Sequence, residues 1–109
     1  MTCAVYPGTF DPFTRGHLDL VERALRLFPR VIVAIADNPQ KAPLFTVEER
    51  TAIIREATRH LAGVEIDAFH TLLVHYARER GALVVLRDET TPAPVHAAPA
   101  MGLLLVTKG

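Results

Sequence analysis

A short turn containing proline and glycine, residues 6–17, constrains the fold of this chain more than any other stretch. An apolar run at residues 3–6 precedes it and is typical of a buried strand. The residues that follow have the +3/+4/+3 spacing of one helix face: Leu18, Val21, Leu25 and Phe28. The turn therefore joins a strand to a helix N-terminus, where unpaired N–H groups and the helix dipole favour a phosphate group. His17 falls in the first helical turn and can add a side-chain donor.

The rest of the pattern alternates strands and helices. Pro29 ends the first helix, for which Thr14 is the expected N-cap. Helices are then predicted from the capping box at Thr46 to Gly63 and over residues 70–80, and strands over 30–36, 64–67, 82–87 and 102–109. This order predicts one α/β domain over residues 1–109: a Rossmann-like parallel sheet of about five strands with flanking helices.

The second helix has an apolar face and a charged face. The apolar positions are Val47, Ile54, Ala57 and Leu61. The charged positions, which we expect to be solvated, are Arg50, Arg55, Glu56 and Arg59.

Composition narrows the class of function. Twelve basic and twelve acidic residues give a net charge of zero, which is unusual for a nucleic-acid binder that neutralises many phosphates. No apolar run reaches membrane-spanning length, and the N-terminus lacks a basic segment followed by an apolar stretch. The single cysteine, Cys3, excludes a disulfide within the chain and is expected in the core. We therefore expect a cytoplasmic protein that binds neither nucleic acid nor membrane.

Two further cations are predicted to lie near the first turn. Lys41 follows the strand at residues 30–36, and Arg87 ends the strand at residues 82–87. Ligands of open parallel sheets bind beyond the carboxyl ends of the strands, so both side chains should share an edge with His17. Taken singly, each would be a solvated side chain, but together they would form a three-sided anion site. No histidine has metal-ligand spacing, so no metal site is predicted.

The turn also carries a family resemblance. Gly8-Thr9-Phe10-Asp11-Pro12 followed by Thr14-x-Gly16-His17 resembles the signature of nucleotidylyltransferases with a Thr/His-x-Gly-His motif. The fuller string from Tyr6 to Asp19, with the later Asn38-Pro39-x-Lys41 loop, is similar to the phosphopantetheine adenylyltransferase family of bacterial coenzyme A synthesis. The resemblance covers about residues 2–87 and residues 101–109.

This resemblance implies transfer of AMP from ATP to 4′-phosphopantetheine, giving dephospho-coenzyme A and pyrophosphate, with Mg²⁺ arriving with ATP rather than held by a protein cage. Thr9, the Phe10 N–H and His17 would bind ATP, and His17 and Lys41 would be catalytic. The acceptor would be bound by the side chains that match the family positions: Thr9, Lys41, Leu73 and Arg87. The family assembles as hexamers, so a homo-oligomer is expected.

Beyond Arg87 the sequence departs from the family. Residues 88–100 form a linker rich in proline and alanine where the family has a helix, and the family's C-terminal helices are expected to be missing. Two alternatives therefore stay open: a non-catalytic relative that binds a nucleotide or a coenzyme A fragment, and a cytidylyltransferase acting on another phosphorylated acceptor.

Overall fold

A computed structural model describes residues 3–37, 43–82 and 84–86, together with the backbone of residues 104–105. Five strands and three helices occur in these parts. In chain order they are β1 (Cys3–Gly8), α1 (Arg15–Ala24), β2 (Arg30–Ala36), α2 (Val47–Thr58), β3 (Val64–Phe69), α3 (Leu73–Glu79), β4 (Val84–Val85) and β5 (Leu104–Leu105).

The five strands form one sheet in the order β3-β2-β1-β4-β5. The first four strands are parallel, with Val5 opposite Ile32 on one side and Val85 on the other. After β1 the chain adds β2 and β3 on one side, and β4 then pairs on the other side of β1. The strand order thus reverses between β1 and β4, the kind of position at which open α/β sheets bind ligands.

Helices cover both faces of the sheet. On one face, α1 and α2 pack on alternate strand residues in a core that includes Tyr6, Val33 and Ile54. On the other face, α3 packs through Tyr76 and Ala77 on the intervening strand residues. The strands β1 and β2 are buried from both sides, which explains the apolar run of β1 and the continuous apolar, β-branched run of β2.

The α/β fold class predicted from the sequence is confirmed, with differences in detail. Helix α2 ends at Thr58 and not at Gly63, α3 is shorter than the predicted 70–80, and β3 extends beyond the predicted 64–67 to Phe69. The fifth strand pairs antiparallel with β4 instead of extending the parallel sheet. Helix α1 ends at Ala24, and Leu27 and Phe28 both donate backbone hydrogen bonds to the Ala24 carbonyl in a tighter final turn. The linker predicted at residues 88–100 lies outside the described residues.

Cys3 lies in the core at 6% exposure, and burial raises the pKa of its thiol, so it stays protonated at neutral pH. Among the described helices, none combines the length and the apolar character needed to cross a bilayer.

A charged network on the α3 face ties the edge strand β3 to its neighbours. Glu65 accepts from Arg30 Nε at 3.0 Å and also from Arg80. Arg80 Nη1 lies 3.7 Å from Asp67 Oδ2, which also accepts from the Tyr76 hydroxyl at 2.8 Å. Hydrogen bonds from Arg30 and then Arg80 hold the pKa of Glu65 below its usual range.

We predict that Glu65→Gln destabilises the fold in a pH-dependent way. Because the pKa of Glu65 is lower in the folded than in the unfolded chain, its stabilisation is complete above the unfolded pKa of about 4.3 and is lost as pH falls through the folded value. The side chain is 35% exposed, so solvent limits the loss at pH 7 to about 1 kcal/mol of unfolding free energy.

Urea denaturation of both proteins between pH 3 and pH 8 measures this difference. Glu56→Gln is the control, because Glu56 is exposed and its ion pair in the described part of the chain is with the exposed Arg59, at 3.6 Å. The prediction would be contradicted if both variants lost the same unfolding free energy at pH 7. It would also be contradicted if the loss in Glu65→Gln grew as the pH was lowered.

Candidate functional site

The turn between β1 and α1 lies at the carboxyl end of the central strand. Gly8 ends β1, Thr9 is exposed, and Phe10 turns the chain with φ of 51°, a conformation uncommon for residues other than glycine. A Cβ atom on Gly8 would lie 2.9 Å from the Phe10 ring, so the glycine gives this ring the room to fold back over the strand end. The backbone of the turn is therefore fixed by packing.

Aromatic side chains surround His17. The Phe10 ring meets the imidazole edge-on at 5.1 Å between centroids, and Phe13 lies at 5.4 Å and Tyr6 at 6.3 Å. Tyr6, Phe10 and Phe13 are all buried, so they form a rigid wall behind the half-buried histidine. This aromatic wall was not predicted from the sequence, although the three residues lie within eight positions of one another.

Thr14 and His17 form a reciprocal cap at the start of α1. The Thr14 hydroxyl accepts from the His17 backbone N–H, and His17 Nδ1 accepts from the Thr14 backbone N–H at 2.8 Å. An accepting Nδ1 carries no hydrogen, so the neutral ring has its hydrogen on Nε2. The predicted N-cap is thereby confirmed, and the cap assigns His17 the tautomer that donates through Nε2.

Asp11 connects this turn to the loop before α2. Its two carboxylate oxygens accept backbone N–H groups of Leu44 and Phe45, at 2.7 and 2.9 Å. The contact joins residues more than thirty positions apart, and no local sequence pattern indicates it. One carboxylate thus fixes where residues 44–45 stand relative to the turn.

Arg50 was predicted on the solvated face of α2, and this prediction is wrong. Its side chain is only 2% exposed and donates to backbone carbonyls of Thr9, Phe45 and Thr46, at 2.9, 3.1 and 3.3 Å. Arg50 fills the missing place in the +3/+4 series between Val47 and Ile54, so helix periodicity could have assigned it to the inner face. The expected exposure of the other three charged residues of that set is confirmed.

The predicted site residues are only partly covered by the described structure. Thr9, Phe10 and His17 lie together in the turn, as expected from their sequence proximity. Leu73 is half-buried and, like Phe69, packs against the core on the α3 face. Lys41 and Arg87 lie outside the described residues, so their predicted places at this edge of the sheet stay predictions.

Two other features of the described residues bear on where a ligand could bind. A pocket of about 240 Å³ lies between the end of α2 and β3, lined by Arg55, Thr58, Arg59, Leu61, Val64 and Ile66. Because Val64 begins β3, this pocket is near the opposite ends of the parallel strands from the turn. In the described parts of the chain, no group of three or more His, Cys, Asp or Glu side chains could hold a metal ion.

The clamp made by Asp11 yields a stability prediction. In Asp11→Asn one of the two backbone N–H groups faces an amide NH2 and the other keeps only a neutral acceptor, which we expect to lower the unfolding free energy by about 2 kcal/mol. Asp19→Asn is the matched control, because Asp19 makes an exposed pair with Arg23 at 3.3 Å and should cost about 0.5 kcal/mol or less. Urea denaturation compares them, and similar losses would contradict a clamping role for Asp11.

Curated proteins are similar to most of this chain. The chain is 62% identical to a phosphopantetheine adenylyltransferase of Cyanothece sp. over 84 residues, and 61% identical to that of Gloeobacter violaceus, again over 84 residues. These matches cover 77% of this chain and 50% and 52% of the relatives, so the chain spans about half the length of the curated relatives it matches. A family model described as cytidylyltransferase-like matches residues 5–100. The chain therefore belongs to the cytidylyltransferase-like family.

Proposed function

We propose that this chain carries the nucleotide-binding part of a phosphopantetheine adenylyltransferase, which transfers AMP from ATP to 4′-phosphopantetheine. The observation that carries the proposal is the β1–α1 turn, where a capped helix start, a fixed Phe10 backbone and an Nε2-protonated His17 occur together at the reversal of strand order. The relatives are named phosphopantetheine adenylyltransferases and are 57–62% identical to this chain. This supports adenylyl transfer to 4′-phosphopantetheine over cytidylyl transfer to another phosphorylated acceptor.

The reaction needs no protein nucleophile, because the acceptor phosphate is already an anion. One of its oxygens forms a bond to the α-phosphorus of ATP while the bond from that phosphorus to the α–β bridging oxygen breaks. Pyrophosphate leaves with the electron pair, and the Mg²⁺ that enters with ATP offsets its charge. The protein then contributes positioning and charge stabilisation.

The proposal assigns a task to each residue of the site. The Phe10 N–H and Thr9 would bind phosphate oxygens, and His17 would donate from Nε2 to the α-phosphate as charge builds up there. In the proposal Lys41 and Arg87 hold the acceptor phosphate, and Leu73 lies along its pantetheine arm. A neutral histidine donor suits this task because the Thr14 N–H already occupies Nδ1.

The cellular setting is part of the same proposal. We expect the protein to act in the cytoplasm, where ATP and 4′-phosphopantetheine are its small-molecule partners, and to assemble as a homo-oligomer. A protein that sediments as a monomer at micromolar concentration would contradict the assembly but not the chemistry.

Release of pyrophosphate from Mg·ATP and 4′-phosphopantetheine tests the proposal. We expect release that requires both substrates and that falls about 100-fold or more in His17→Ala, because one transition-state donor is removed. His75→Ala is the matched control and should leave the rate unchanged, since His75 is exposed on α3.

Other outcomes would select the alternatives. Release with CTP but not ATP would contradict adenylyl transfer and favour a cytidylyltransferase. A folded chain that binds dephospho-coenzyme A but releases no pyrophosphate would favour the non-catalytic relative. Equal rates in His17→Ala and the unaltered chain would remove His17 from the mechanism.

A further inference from the structure

The side chain of Arg50 is a buried cation, and its position is costly. It is 2% exposed, and none of the ion pairs found among the described residues joins it to a carboxylate. Burying a charge without an opposite charge is unfavourable unless its donors are satisfied. An apolar residue at this position on the inner face of α2 would avoid that cost. The presence of a guanidinium there therefore needs an explanation.

Arg50 hydrogen-bonds to carbonyls from two distant parts of the chain. Its Nε donates to Phe45 and Thr46, at 3.1 and 3.3 Å, and these residues directly precede α2. Its Nη1 donates to the Thr9 carbonyl at 2.9 Å, which lies forty-one positions earlier in the β1–α1 turn. The planar fork of one arginine therefore holds the turn against the start of α2.

The bond to Thr9 determines where the next N–H group points. The Thr9 carbonyl and the Phe10 N–H belong to one planar peptide, in which they point in opposite directions when the bond is trans. Among the described residues the cis peptide bond is Asp11–Pro12, so the Thr9–Phe10 bond is trans. Arg50 thus directs the Phe10 N–H away from α2, and a hydrogen bond to the carbonyl strengthens the N–H as a donor.

The Phe10 backbone needs such support. Its φ of 51° is a conformation that costs of order 1 kcal/mol or more for a residue with a side chain. The Phe10 ring is held by contacts with Tyr6 and His17, at 5.1 Å between centroids in each case. Those contacts fix the ring, whereas Arg50 fixes the peptide plane before Phe10.

We propose that Arg50 is a positioning residue for the nucleotide phosphates: it acts through the Thr9–Phe10 peptide, which it orients and polarises, and it places a positive charge behind the phosphate site. This inference rests on the proposed function, since it assigns Arg50 a task in the same site. Arginine side chains are charged at neutral pH, and burial weakens solvent screening of that charge. Arg50 touches no substrate in this account.

Nucleotide affinity and an NMR signal in the free protein test this role together. In the full chain, Arg50→Met should weaken Mg·ATP binding about tenfold and leave the weaker binding of adenosine, which has no phosphate, unchanged. Arg50→Lys should restore part of the affinity, because an ammonium keeps the charge and one donor. Arg55→Met is the matched control on the same helix, where Arg55 is exposed, and should change neither affinity.

The Phe10 amide proton provides a readout that needs no ligand. We expect its resonance to move upfield in Arg50→Met, partly recover in Arg50→Lys, and stay in place in Arg55→Met. If Arg50→Met does not fold, as judged by its amide spectrum, Arg50→Lys provides both readouts alone.

The possible failures are distinguishable. An unmoved Phe10 resonance overturns the role of Arg50 whether or not nucleotide binds. Equal Mg·ATP affinities in the unaltered chain and in Arg50→Met overturn that role and leave the proposed function intact. Parallel losses for Mg·ATP and adenosine show that Arg50 supports only the fold. No Mg·ATP binding by the folded, unaltered chain overturns the proposed function and, with it, the positioning role.

Discussion

The burial of β1 at the centre of the sheet is the constraint on which the rest of this structure depends. The strand pairs in parallel with β2 on one side and β4 on the other, and its first four residues are buried. Burial on both faces removes any freedom of register, because a shift of one residue would exchange the side chains of the two cores. The turn that follows therefore lies at the carboxyl end of the central strand, where the strand order reverses.

The turn gains its shape from charges that act on the backbone rather than on each other. Asp11 binds two N–H groups of residues 44–45, and Arg50 binds the Thr9 carbonyl together with two carbonyls at the start of α2. Each side chain supplies hydrogen-bond partners to backbone N–H or C=O groups that would otherwise lack them in a tight loop. Donors fixed in this way before a ligand arrives need no reorganisation when charge develops, which is how electrostatic catalysis gains most of its strength.

The sequence predicts the parts of this fold that local physical chemistry determines. A short apolar run indicated β1, a continuous β-branched run indicated β2, and the caps at Thr14 and Thr46 indicated where α1 and α2 begin. The antiparallel direction of β5 was not predicted, because an apolar run does not encode the direction of its partner. At the site, a family motif identified Thr9, Phe10 and His17. Asp11 and Arg50 were missed, because their partners in the turn and the loop lie thirty-three to forty-one positions away. The helix period alone would have assigned Arg50 to the inner face of α2.

The central claim is that the β1–α1 turn binds the phosphates of a nucleotide. Titration of the ¹⁵N-labelled chain with Mg·ATP, followed through its assigned backbone amides, tests that claim most directly. The account predicts that the largest shift changes occur at Thr9, Phe10 and His17, with Phe10 moving downfield as its N–H binds a phosphate oxygen. Changes confined to the pocket between α2 and β3, at Arg55, Arg59 and Leu61, would contradict it.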